Sequence, residues 1–109
     1  MREHDLHRHV EVSDRYGMVA AADVTIFDDS DRTARASLHA AAGHLDPGIR
    51  ARLVDAVLAL PELHTGARLE AAFPLGDSEI LHRLRERCTN IHTHPAGATV
   101  LLEATIGPG

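Results

Sequence analysis

Thr33-Ala34-Arg35-Ala36-Ser37-Leu38-His39-Ala40-Ala41-Ala42-Gly43-His44-Leu45-Asp46-Pro47-Gly48-Ile49-Arg50-Ala51-Arg52-Leu53-Val54-Asp55-Ala56-Val57 is the stretch that decides the fold. In its first half Ala34, Ala36, Leu38, Ala40 and Ala42 alternate with Thr33, Arg35, Ser37 and His39, the period of a strand with one dry and one wet face. Gly43-His44-Leu45 breaks that period. Asp46 then reads as a helix N-cap and Pro47 as the first helical residue, where its missing N–H costs nothing. Ile49, Leu53, Ala56, Val57 and Leu60 recur at helical spacing, and Pro61 stops the helix.

The same two periods organise the rest of the chain. Residues 8–13 set Arg8, Val10 and Val12 against His7, His9, Glu11 and Ser13, and Ser13-Asp14-Arg15-Tyr16-Gly17 supplies a turn. Met18, Ala20, Ala22, Val24 and Ile26 then alternate with Val19, Ala21, Asp23, Thr25 and Phe27. The run Asp28-Asp29-Ser30-Asp31-Arg32 lacks the loop length, central glycine and closing glutamate of a calcium-binding hand, and reads as an acidic hairpin turn. Beyond the first helix, Ala67, Leu69, Ala71 and Phe73 predict a fourth strand closed by Pro74. Asp77 or Ser78 caps a second helix reaching about Cys88, with Ile80, Leu81, Leu84 and Cys88 inward and His82, Arg83, Arg85, Glu86 and Arg87 solvated. The tail predicts a bent or broken strand, Asn90 to His94 and then Ala98 to Ile106 after a Pro95-Ala96-Gly97 turn.

The assembled order is β-β-β-α-β-α-β, an α+β fold: a two-layer sandwich of a mostly antiparallel sheet with both helices on one face. With 109 residues the chain makes one domain, residues 1–109. No apolar run is long enough to span a bilayer, and Met1-Arg2-Glu3-His4-Asp5 leads into no apolar signal core, so the expected location is the cytoplasm with no membrane contact. A single cysteine excludes an internal disulfide and a four-cysteine zinc site.

All eleven basic residues are arginine. The absence of lysine excludes Schiff-base chemistry, a phosphate-loop lysine and a lysine general base. A net charge of −5 and only one Tyr, two Phe and no Trp argue against a nucleic-acid partner, which needs a basic face and stacking platforms.

Three meandering strands, a helix, a strand, a helix and a terminal strand pair resemble the C-terminal half of the GNAT acyltransferase fold. Asp46 to Val57 also resembles that family's coenzyme A helix, which opens with Arg/Gln-x-x-Gly-x-Gly/Ala and holds a pyrophosphate on bare N–H groups. Gly48 and Ile49 match. Leu45 stands where Arg or Gln belongs, Arg50 replaces the last small residue, Pro47 removes an N–H, and Asp46 adds negative charge. The resemblance implies Gly48, Ile49 and Arg50 as candidate coenzyme A contacts, and a truncated acyl-group enzyme as the function.

Nine histidines include two His-x-His pairs. Residues two apart on a strand share a face, so His7 with His9 (and Glu11 beyond), or His92 with His94, can aim two imidazoles at zinc or another transition metal. Four nitrogens would converge if the first and last strands were neighbours. Ser37 with His39, and Cys88 with His82 or His92, offer no framed nucleophile. Glu70 and Glu103 are expected to pair with Arg35 or Arg68 on a wet sheet face. That face also carries Phe27, Leu101, Val19 and Ala21, a mixture that predicts a homodimer interface, with strand-edge pairing as its competitor. The sequence-level reading is therefore a non-enzymatic protein that self-associates or serves as an accessory subunit, with no expected cofactor.

Overall fold

A computed structural model describes residues 5–29, 32–41 and 45–108. The readings made above at residues 1–4, 30–31, 42–44 and 109 lie outside the described residues. The fold is α+β, in two layers. Strands β1 (Leu6–Ser13), β2 (Val19–Ile26) and β3 (Ala34–Ala40) form an antiparallel meander. Helix α1 (Ile49–Leu58) crosses to β4 (Arg68–Pro74), and α2 (Ser78–Arg87) leads into the hairpin of β5 (Cys88–Ala96) and β6 (Thr99–Ile106). Sheet order is β1-β2-β3-β4-β6-β5, with β3 and β4 the one parallel neighbour pair and all others antiparallel.

Alternation builds one core. Ala20, Ala22, Val24 and Ile26 of β2, Ala34, Ala36 and Leu38 of β3, Leu69, Ala71 and Phe73 of β4, and Leu102, Ala104 and Ile106 of β6 are buried in one cluster with both helices. Many of the strand residues are alanines, which lets the helices sit close to the sheet. The bulk comes from the helix side, where Leu53, Val54, Ile80 and Leu84 are fully buried. The β1–β2 turn is set by Asp14, whose Oδ1 accepts from the backbone N–H groups of Tyr16 and Met18 at 2.8 and 2.9 Å. Gly107 closes the far end of the sheet: its N–H donates to Arg87 O at 2.9 Å, and a Cβ there would meet that same oxygen at 2.9 Å.

Three expectations need correction. The α1 N-cap is Gly48, in the left-handed region at φ 89°, with no side-chain cap, so the helix starts at Ile49 rather than Pro47. Asp46 does not cap because its carboxylate is drawn to Arg15 Nε, 3.0 Å away. The buried stripe of α1 uses Val54 and Leu58 where Ala56 and Leu60 were expected, since the helix is covered by sheet on one flank and by α2 on the other. Finally, Cys88 is the α2 C-cap and the first residue of β5. The tail is thus a hairpin of two full strands, β6 inside the sheet and β5 at its edge, and the β5 bulge between Thr89 and His92, with Asn90 at φ 53°, disguised the period there.

Candidate functional site

Two places in the fold have the geometry for function. The first lies at the C-terminal ends of the parallel pair. Strands β3 and β4 are in register from Ala34↔Leu69 to Ser37↔Ala72 and no further, so Leu38–Ala40 and Phe73–Pro74 leave an opening between them. A cleft of about 400 Å³ sits there, bordered by Ala40, Ala41, Arg50, Pro74 and residues 76–79. Crevices beyond the carboxyl ends of parallel strands, beside helix N-termini, are where open sheets hold anionic ligands.

The chain fills this crevice's anion positions with its own carboxylates. Glu79 Oε1 accepts from Gly48 N–H at 3.0 Å and Oε2 from Ala51 N–H at 3.1 Å, so one carboxylate takes two donors of the α1 N-terminus. Asp77 caps α2 through Oδ1 to Ile80 N–H at 3.1 Å, and its Oδ2 holds Arg50 Nε at 3.0 Å. Gly48, Ile49 and Arg50 are therefore together as the coenzyme A resemblance required, but Gly48 is spent on Glu79 and Arg50 on Asp77. Ile49 points its side chain into the core and its N–H at Asp46 O. The role of Glu79 escaped sequence reasoning because it lies 31 residues from Gly48 and shows only as a first-turn acid of the other helix.

This arrangement sets one expectation. Replacing Glu79 with alanine should cost about 1–2 kcal/mol, by leaving α1 N–H groups without their acceptor. Acetyl-coenzyme A at millimolar concentration should leave the amide resonances of residues 45–51 unmoved in the unmodified chain. Saturable shifts confined to those residues would contradict the closed crevice.

The second place is the sheet face opposite the helices. Registers lay its residues out in rows, His7↔Thr25↔Arg35↔Glu70↔Glu103↔His92 and His9↔Asp23↔Ser37↔Ala72↔Leu101↔His94. Arg35 Nη2 meets Glu70 Oε2 at 3.1 Å and Arg68 Nη2 stands 4.0 Å from Glu103 Oε2, the pairings expected of these acids. A shallow hollow of about 280 Å³ lies mid-face over Ala72 and Leu101, rimmed by Arg35, Glu70, Glu103 and His94.

Of the four expected interface residues, Leu101 is exposed, Val19 and Phe27 are half-buried and Ala21 is buried. Neighbours cover the last ones: Arg35 lies 5.1 Å over the Phe27 ring, and Ala21 sits between Glu11 and His39 in register. The apolar centre of the face is thus smaller than its sequence pattern promised.

The histidine pairs do share faces, but β1 and β5 are opposite edges of the sheet. Five strand spacings of about 4.8 Å put the pairs roughly 24 Å apart, so four nitrogens do not converge. His9 is held on both ring nitrogens, Nδ1 2.7 Å from Asp23 and Nε2 2.9 Å from Glu11. The Asp23 contact, then the Glu11 contact, raise its pKa above the ordinary histidine value, and His9 in turn lowers that of Asp23. A ring clamped by two carboxylates favours the imidazolium, which has no lone pair for a metal. His7 Nδ1 lies 3.1 Å from Thr25 Oγ1. Among the described residues, no three His, Cys, Asp or Glu side chains gather in a metal-holding group.

The remaining nucleophile candidates do not form a dyad. Cys88 is buried, and burial pushes its thiol pKa up, away from the reactive thiolate. Ser37 and His39 share the wet face, and among the described residues no orienting acid is bonded to either. Among the described residues no helix is long and apolar enough to cross a membrane. Comparison of the chain with protein-family models, with curated proteins and with solved structures finds no match.

Proposed function

We propose that this chain is a non-enzymatic cytoplasmic protein that acts by self-association, as a homodimer, and not as a coenzyme A-dependent acyltransferase. The carrying observation is the one-sided sheet: six strands with both helices on one face, and an opposite face and strand edge on which nothing of the described chain packs. A sheet so placed offers backbone edges and a mixed polar and apolar face to a second protein. The carboxylates of Glu79 and Asp77 on the helix N-termini speak against an anionic cofactor there. A single, buried, unpaired cysteine suits a reducing compartment.

Native mass spectrometry of protein purified without an affinity tag tests this reading. The expected spectrum is a dimer carrying neither metal nor acyl-coenzyme A. A monomer retaining a stoichiometric ligand would overturn it in favour of the enzyme or metal-binding alternatives.

A further inference from the structure

The two edges of the sheet differ. On β5 the bulge between Thr89 and His92 interrupts the ladder, and Pro95 lies within the strand, the two devices that keep an edge from pairing further. On β1 the register with β2 runs unbroken from Leu6↔Ile26 to Ser13↔Val19, with neither proline nor glycine. Its one long basic side chain, Arg8, is drawn off the strand's middle onto Glu62, with Nε–Oε1 at 3.1 Å, and onto the His7 carbonyl. The middle of β1 is therefore an edge without bulge, proline or glycine, open to pairing with a further strand.

The geometry points to β1 as the seam of the homodimer, pairing antiparallel with β1 of a second copy about a two-fold axis at Val10. This rests on the self-association reading above and names the surface. Opposed residues in an antiparallel pair lie on the same sheet face, so the axis falls on one residue, and charge selects which. An axis at His9 sets His9 against itself, and one at Glu11 sets two carboxylates together. With Val10 on the axis, each His9 faces Glu11 of the other copy. Asp23 Oδ1 at 2.7 Å and Glu11 Oε1 at 2.9 Å favour the charged form of His9, the form that suits this cross-strand pairing. On the helix side the same register brings the half-buried Val10 of both copies together and sets Arg8 opposite Val12, extending the core across the seam. The product is one continuous twelve-stranded sheet, with the helices of both copies on one side and the two bare faces merged on the other.

Cross-linking through single cysteines tests the seam. With Val10→Cys, the two thiols lie across the axis within reach of a short bismaleimide, while the native Cys88 is buried and should not react. Covalent dimer is expected from Val10→Cys and not from Leu101→Cys on the open face. In sedimentation, His9→Glu sets like charges opposite each other twice and should raise the dimer dissociation constant about tenfold or more. A dimer that Leu101→Cys traps and Val10→Cys does not, or that His9→Glu leaves unweakened, would overturn the seam and leave self-association standing. An unmodified chain that stays monomeric would overturn both.

Discussion

Truncating Leu53 to alanine should lower the free energy of unfolding by about 2–5 kcal/mol, read from the urea midpoint at unchanged slope. Leu53 has no exposed surface and stands on α1 over the alanine-rich strands, where small neighbours give it room to pack but cannot move to refill its space. Domains of this size are stable by about 5–15 kcal/mol, so the loss is a large share of the total. The control is Ala59→Ser just beyond the same helix, exposed, and expected within about 0.5 kcal/mol of the parent. A cost for Leu53→Ala below about 1 kcal/mol would mean that α1 does not lie on the sheet as described.

The second large effect belongs to the helix–helix contact. Asp55 of α1 receives Arg83 Nε and Nη2, both at 2.9 Å, and Arg87 Nη1 at 2.6 Å. Asp55→Ala should cost about 1–3 kcal/mol, a value reduced for partial solvent access, because Arg87 loses its carboxylate and Arg83 keeps only Glu86. The bond from Arg83, then that from Arg87, holds the Asp55 carboxyl below its ordinary pKa against the opposing pull of burial. A depressed carboxylate stabilises the fold above its unfolded pKa of about 3.9 and loses that contribution as pH falls through the folded value. The parent should therefore lose stability on acidification below about pH 4 more steeply than Asp55→Ala, which has already lost the group. Parallel acid profiles for the two proteins would contradict the assignment.

What the sequence made legible follows from where the information is stored. Strand faces are local: the alternation of Ala34, Ala36 and Leu38 with Arg35, Ser37 and His39 needs no knowledge of the partner strand, and it placed β3 correctly to within a residue or two. Positions decided by long-range partners were not legible. Asp46 has the look of an N-cap until Arg15 takes its carboxylate and Glu79, from the second helix, takes the donors of the first. Arg83 and Arg87 have the spacing of a solvated helix face, and become half-buried only because Asp55 lies across the α1–α2 contact. The His-x-His pairs show shared faces locally, whereas strand order, which sets their distance, is a property of the whole sheet. Exposure is set by neighbours in the same way: Phe27 is apolar in sequence, but Arg35 from the next strand lies over its ring.

The proposal that this protein acts by association with its own kind rests on the carboxylate-filled crevice and on the unpaired β1 edge. Sedimentation velocity of the untagged, unmodified chain tests that most directly, at ~100 µM, well above the dissociation constant expected of a standard-size interface. The account predicts a single dimeric species at neutral pH. A monomer at that concentration would contradict it.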